Sequence, residues 1–358
     1  MDEVNMVYFK SLNGFRALAA IFILLFHSMF PYFRTLWIGV PMFFVLSGFL
    51  ITRILIEHKA AGNYLKAFYF KRALRIFPIY YLALLISVFW GLLVNADLSR
   101  LPVFIIYLQN FTISRNLLPE YCYGLMNHTW SLSVEELFYL VWPFVILFAG
   151  KKLLPVLIVF IGLSSILYKV IVISFFYTGH SDQLLLLSLA GNLDGLMAGA
   201  LLGMLSLNKG SFLNRPFPFK QFFALLLVFT ITLAANYCHF NIPRHFSVFK
   251  ELLSVLAVFV SFYTIVWLIS EKKTGSFFTR ALNHPFMQLS GKISYGLYLY
   301  HALIFGITSA CVYHFQIDAN LFLLFLFKIT LTYVVALLSW HAIEKPFLRL
   351  KDKLPYQS

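Results

Sequence analysis

Apolar runs of about 20 residues recur along the whole chain, separated by short stretches that carry most of the charge. Within each run the apolar residues cover every face of a helix instead of one stripe. Such runs predict bilayer-crossing helices, which satisfy their own backbone hydrogen bonds inside hydrocarbon. A β-barrel fits poorly, because its strands are about 10 residues long and alternate apolar with polar.

The runs predict ten helices, at 13–33, 37–56, 76–95, 129–149, 153–176, 184–207, 221–238, 248–270, 287–314 and 320–343. A polar-aromatic loop, 96–128, separates the third from the fourth and leaves room for a short re-entrant piece near 101–111. A basic tail, 344–358, follows the last. No fixed-period repeat is visible, and no matching pair of Gly/Pro-broken helices of the inverted-repeat transporter kind. The chain therefore reads as one membrane domain over 1–358, an all-α polytopic protein. No cleavable signal peptide is evident, since acidic residues precede the first run and no small-residue cleavage site follows it.

Composition agrees. The 358 residues are 61% hydrophobic and 12% charged, far from a soluble domain at about a quarter charged. The net charge of +14 invites a nucleic-acid reading, but its placement argues against one. With ten helices, 20 of the 28 Lys and Arg fall on the side of the two termini and five on the other. That bias puts both termini in the cytoplasm. Cys122, Cys238 and Cys311 all map to the outer side, where disulfides are permitted; an odd count leaves at least one unpaired.

His27 stands near the end of the first run, Ala17 to Phe26. A membrane-buried histidine is a functional candidate by default, although a packing histidine fits the run equally well. Other polar groups share its depth. His27 and Glu135 each lie about six residues, roughly 9 Å, below the outer boundary. They are natural partners, the acid orienting the ring and stabilising its protonated form as a general base requires; a structural ion pair is the competing reading. Glu136 is turned about 100° away from Glu135. Ser47 and Asp194 lie about ten residues in, roughly 15 Å deep. Tyr295, Tyr298 and His301 form one stripe at spacings of three. Lys169 and Lys328 read as snorkelling to the outer surface.

On the cytoplasmic side Lys71 to Arg75 opens the third helix, with Arg72 and Arg75 three apart on one face. Paired guanidiniums suit phosphate, to which each donates two parallel hydrogen bonds, although lipid headgroups and topology offer a plainer account. No P-loop, no HExxH and no zinc-ligand spacing is present, so no metal site is expected. Tyr107, Phe111, Tyr121, Tyr123 and Trp130 offer faces for sugar stacking, as aromatics at a membrane boundary also would.

Read in order, several blocks resemble the acyltransferase 3 family of integral membrane acyltransferases. They are Leu12-Asn13-Gly14-Phe15-Arg16-Ala17-Leu18-Ala19 leading to His27, Phe43 to Ile51 around Ser47-Gly48, and Arg72-Ala73-Leu74-Arg75-Ile76-Phe77-Pro78. Then come Thr129-Trp130-Ser131-Leu132-Ser133-Val134-Glu135-Glu136-Leu137-Phe138-Tyr139, Leu193-Asp194-Gly195, Ser294 to His301, and Ile343-Glu344-Lys345-Pro346. The resemblance spans Leu12 to about Phe347. It implies ten helices with cytoplasmic termini in a bacterial inner membrane, and an acyl-CoA donor, most commonly acetyl-CoA. It also implies a hydroxyl acceptor on a surface polysaccharide, lipopolysaccharide or lipid-linked glycan. It carries the essential histidine onto His27, the acidic position onto Glu135 and the coenzyme-engaging pair onto Arg72 and Arg75. Ser47 and Tyr298 are expected beside the thioester as oxyanion donors, with Arg16, Trp130, Glu136, Asp194 and His301 in support. An acyl-histidine intermediate is the rival to direct attack. The chain ends soon after the last helix, so no fused extracytoplasmic hydrolase-like domain is expected. A flippase for lipid-linked sugars, an acyltransferase for a non-glycan small molecule and a non-catalytic membrane scaffold are the competing functions. Membrane lipids are expected as neighbours, nucleic acid is not, and the oligomeric state is unreadable.

Overall fold

The computed structural model describes residues 10–28, 33–113, 125–175, 188–207, 218–238, 243–270 and 276–357. All regular structure among them is helical: α1 (Lys10–Phe26), α2 (Gly39–Glu57), α3 (Tyr64–Leu93), α4 (Leu101–Ile105), α5 (Gln109–Ile113), α6 (Trp130–Phe148), α7 (Leu153–Phe175), α8 (Leu193–Leu207), α9 (Phe219–Cys238), α10 (Pro243–Ser270), α11 (Phe277–Leu282), α12 (Pro285–Lys292), α13 (Ser294–His314), α14 (Leu321–Ser339) and α15 (Lys345–Arg349). Eight helical stretches among the described residues are long and apolar enough to cross a membrane. The protein is a polytopic all-α membrane protein. Large apolar side chains such as Leu85, Phe89, Phe160 and Leu163 stay exposed along α3 and α7, as a lipid-facing surface requires.

Several helix boundaries differ from expectation, and three of them reshape the bundle. α3 begins at Tyr64, twelve residues early, so Arg72 and Arg75 lie inside it instead of opening it. The segment 64–75 is rich in Lys and Arg, and hydropathy alone reads it as loop, but Tyr64, Ala67 and Phe68 bury one face of a regular helix. The ninth predicted helix is broken at Ile293 into α12 and α13. The last becomes a π-turn at Trp340–Glu344 before α15, where Pro346 offers no backbone N–H.

The centre of the bundle is the α2–α8 pair. A Cβ on Gly48 would sit 2.0 Å from the Leu196 carbonyl oxygen, and one on Gly199 2.0 Å from that of Val45. Glycine at both places lets the two backbones touch, the usual way membrane helices gain van der Waals contact. Phe44 and Ile51 of α2 join Phe68 and Tyr80 of α3 and Phe138 and Trp142 of α6 in the main buried cluster.

Lys169 does not snorkel. It is 3% exposed, donates to Asp194 Oδ2 at 2.8 Å and lies 3.5 Å from Glu251 Oε2. The triad ties α7, α8 and α10 together. Two carboxylates on neighbouring helices hold the ammonium in place, which a per-residue reading of one helix cannot foresee. Lys328 donates to Ser309 Oγ at 2.6 Å. Cys311 is a free thiol; Cys122 and the side chain of Cys238 lie outside the described residues, as do Tyr121 and Tyr123.

The loop after α3 carries α4 and α5 inward against α3 and α6. Tyr80 donates to the Phe104 carbonyl at 2.7 Å, and Ser133 Oγ to the Tyr107 carbonyl at 2.5 Å. Tyr107 sits at φ 57°, a conformation costly for a bulky residue, and is held there by that bond and by stacking on Tyr80 at 4.1 Å. It is buried and so presents no face to a sugar, whereas Phe111 is exposed.

Candidate functional site

A cavity of about 160 Å³ opens among α1, α2, α3, α6 and α13. Arg16, Ser47, Arg72, Arg75, Glu135, Tyr139, Ser131, Tyr295 and Tyr298 supply its polar wall, and Ile23, Val40, Phe43, Phe44 and Ile76 part of its apolar wall. Seven residues singled out from sequence, Arg16, Ser47, Arg72, Arg75, Glu135, Tyr295 and Tyr298, thus line one space although they come from five helices.

Glu135 organises the wall. Ser47 Oγ donates to its Oε1 at 2.6 Å, and the Tyr139 hydroxyl donates to Oε2 at 3.4 Å. The Arg72 guanidinium lies 5.4 Å from the centre of the Tyr139 ring and 5.7 Å from that of Phe68. Neither Arg72 nor Arg75 has a carboxylate within 4.0 Å among the described residues. Two guanidiniums in a half-apolar cavity without a bonded carboxylate favour an anionic guest.

His27 occupies a different compartment. Its Nδ1 donates to the Ile23 carbonyl at 3.0 Å, and Ile23, one turn back on α1, lines the cavity. A carbonyl can only accept, so Nδ1 carries the proton and Nε2 keeps its lone pair in the neutral ring. The ring centre lies 4.7 Å from that of His301 and 6.4 Å from that of His128. His128 and His301 are themselves 4.8 Å apart. His301 Nδ1 donates to the Leu297 carbonyl at 3.2 Å, fixing the same tautomer. The Tyr298 hydroxyl donates to the His128 carbonyl and lies 2.8 Å from Ser131 Oγ, so one tyrosine spans from the cavity wall to the imidazoles.

His27 and Glu135 are not partners. Glu135 gives its carboxylate to Ser47 and Tyr139, while His27 meets the level of His128, seven residues and roughly 10 Å earlier on the rise of α6. The two therefore differ in depth, which counting residues from each expected helix end did not foresee. Asp194 belongs to the Lys169 triad and is absent from the cavity wall. Ser47 and Tyr298 both line the cavity, but their hydroxyl protons go to Glu135 and the His128 carbonyl. Trp130 packs on Phe44 at 6.3 Å between ring centres. Glu136 lies outside the lining and keeps one buried carboxylate oxygen without a hydrogen-bond partner. Among the described residues no cluster of His, Cys, Asp and Glu is arranged to hold a metal ion.

His128, Ser131 and Tyr139 are the site residues to which sequence reasoning assigned no role. His128 precedes the apolar run of α6, in the 3-10 turn Asn127–Thr129. It is placed by Gln109, whose Nε2 donates to the Thr129 carbonyl at 3.0 Å.

A family model described as an acyltransferase domain matches residues 9–341. The chain belongs to this family, acyltransferase 3. Among its curated relatives, the "Peptidoglycan O-acetyltransferase OatA" of Listeria monocytogenes is 26% identical over 95% of this chain and 56% of its own length. The "O-acetyltransferase OatA" of Staphylococcus aureus is 26% identical over 95% of this chain and 57% of its own length. The chain thus spans little more than half the length of these relatives. No solved structure matches it.

Proposed function

We propose that the protein moves an acetyl group from a cytoplasmic acyl-CoA to a hydroxyl of a cell-surface glycan across the bacterial inner membrane. The carrying observation is the one cavity whose wall takes in Arg72 and Arg75 together with Tyr298 and Ile23, the residue whose carbonyl holds the His27 ring. The family supplies the acyl-transfer chemistry, and the relatives named for O-acetyl transfer supply the acyl group and the hydroxyl acceptor. Peptidoglycan, a polysaccharide or a lipid-linked glycan all fit that acceptor class.

The two arginines engage the phosphates of the coenzyme at the cytoplasmic end, a placement supported by the positive-inside bias of the sequence's charges. The pantetheine arm runs past Ser47 and Phe44 towards Tyr298. His27 Nε2 then takes the proton of the acceptor hydroxyl as its oxygen bonds to the acyl carbon. The carbon–sulfur bond breaks, and the departing thiolate takes the proton back from the imidazolium. Glu135, held by Ser47 and Tyr139, positions the wall beside the arginines and does not touch the histidine.

The test uses purified protein in liposomes with radiolabelled acetyl-CoA and oligosaccharide acceptors. Acceptor-dependent release of CoA with label on the glycan is expected. Acetyl-CoA binding with no transfer to any hydroxyl acceptor contradicts the reading.

A further inference from the structure

His128 is 8% exposed, and neither of its ring nitrogens has a hydrogen-bond partner. The backbone of Tyr298 and Leu299 lies close to the ring, but not at hydrogen-bond geometry. The Nε2 of His301, a fully buried residue, is also without a partner. Such unmet groups are costly and rare unless something else fills the need. Three rings also converge here, since the His27 ring, just past the end of α1, lies 4.7 Å from that of His301 and 6.4 Å from that of His128.

The tautomers define what the missing partner must be. His27 and His301 spend their N–H groups on backbone carbonyls, so each offers only a lone pair at Nε2. A neutral His128 offers one donor and one acceptor. A guest must therefore donate into the Nε2 lone pairs and accept from His128. A carboxylate or phosphate cannot donate, and an ammonium cannot accept. A hydroxyl does both, and two neighbouring hydroxyls satisfy the trio.

We infer that His128 and His301, with His27, form the binding subsite for the acceptor hydroxyl: a polyol site made of imidazoles, separate from the arginine-lined cavity. This deepens the acyl-transfer reading and rests on it. His128 is a binding residue in this assignment, holding the acceptor oxygen while His27 removes its proton. Tyr298 joins the two halves, through the cavity wall on one side and the His128 carbonyl on the other.

The experiment uses the full chain in liposomes with acetyl-CoA as donor and chitotetraose as the acceptor probe. His128→Phe keeps an aromatic ring and removes both nitrogens; His128→Asn restores one polar group near Nδ1. The expected result for His128→Phe is an acceptor KM raised at least tenfold with the acetyl-CoA Kd within twofold of wild type, and partial recovery of KM in His128→Asn. An unchanged acceptor KM in His128→Phe overturns the subsite. A matched loss of donor binding also overturns it, because the residue is then structural. A wild-type protein that binds acetyl-CoA and transfers to other hydroxyl compounds, but not to chitotetraose or any other polyol, overturns the polyol assignment and leaves the donor reading standing. Failure of the wild type to bind acetyl-CoA contradicts the acyl-transfer reading itself.

Discussion

Ser47 of α2 donates a 2.6 Å hydrogen bond to Glu135 of α6, and the pair forms one wall of the cavity that also carries Arg72 and Arg75. A bond to a charged acceptor contributes roughly 1.5–3 kcal/mol, and removing the hydroxyl strands an oxygen that only Gln or another donor would satisfy. Ser47→Ala should lower the melting temperature in detergent and weaken acetyl-CoA binding, because the carboxylate is then free to turn towards the arginines. Ser47→Thr, which keeps the hydroxyl, should lose less. Thermal unfolding with and without acetyl-CoA separates the two effects.

Arg72 and Arg75 should each contribute to donor affinity as charge-assisted partners. Replacing either with Ala should raise the acetyl-CoA Kd by about ten- to a hundredfold, the equivalent of about 1.5–3 kcal/mol for a bond to a charged group. Lysine should not rescue either position fully, since an ammonium lacks the planar two-pronged geometry. Isothermal titration with acetyl-CoA checks this, with dephospho-CoA as a probe of which phosphate each residue meets. Unchanged affinity in both Ala variants removes the anion-site assignment.

Lys169 is a stability residue. Lys169→Met leaves Asp194 and Glu251 facing each other without a cation and should destabilise the protein by about 3–5 kcal/mol. Combining it with Asp194→Asn and Glu251→Gln should recover most of the loss. Chemical or thermal unfolding in one detergent measures it. The folded fraction of the triple variant should keep its acetyl-CoA Kd, because none of the three residues lines the cavity.

Gly199, like Gly48, permits a direct backbone approach between α2 and α8. Gly199→Leu places carbon where the Val45 carbonyl already stands, so α2 and α8 must separate. The expected outcome is loss of the monodisperse folded peak on size exclusion. Gly62, whose added Cβ meets nothing within 4 Å, should accept Ala without that loss.

What could be read from the chain depended on whether a property is local. Arg72 and Arg75 share a helix face because they are three apart, and the cavity wall takes both. The block around Glu135 announced a buried acid in the same way. The partner of that acid was not legible, because pairing depends on how α6 is rotated against α2, and no spacing within one helix records that. Lys169 failed for the same reason: its two carboxylates stand 25 and 82 positions away in sequence on other helices. His128 was missed because it sits in a turn outside any apolar run, where a histidine costs nothing until the loop carrying Gln109 folds in and buries it. The early start of α3 was hidden by its basic residues, which depress hydropathy without breaking a helix.

The most direct test concerns His27. Wild type and His27→Asn are compared for acetyl-CoA binding and for acceptor-dependent CoA release in the same liposomes. The expected result is a fall in transfer of about a hundred- to ten-thousandfold, the usual worth of a positioned general base, with the acetyl-CoA Kd unchanged. Transfer at the wild-type rate by His27→Asn would contradict the assignment of His27 as the base.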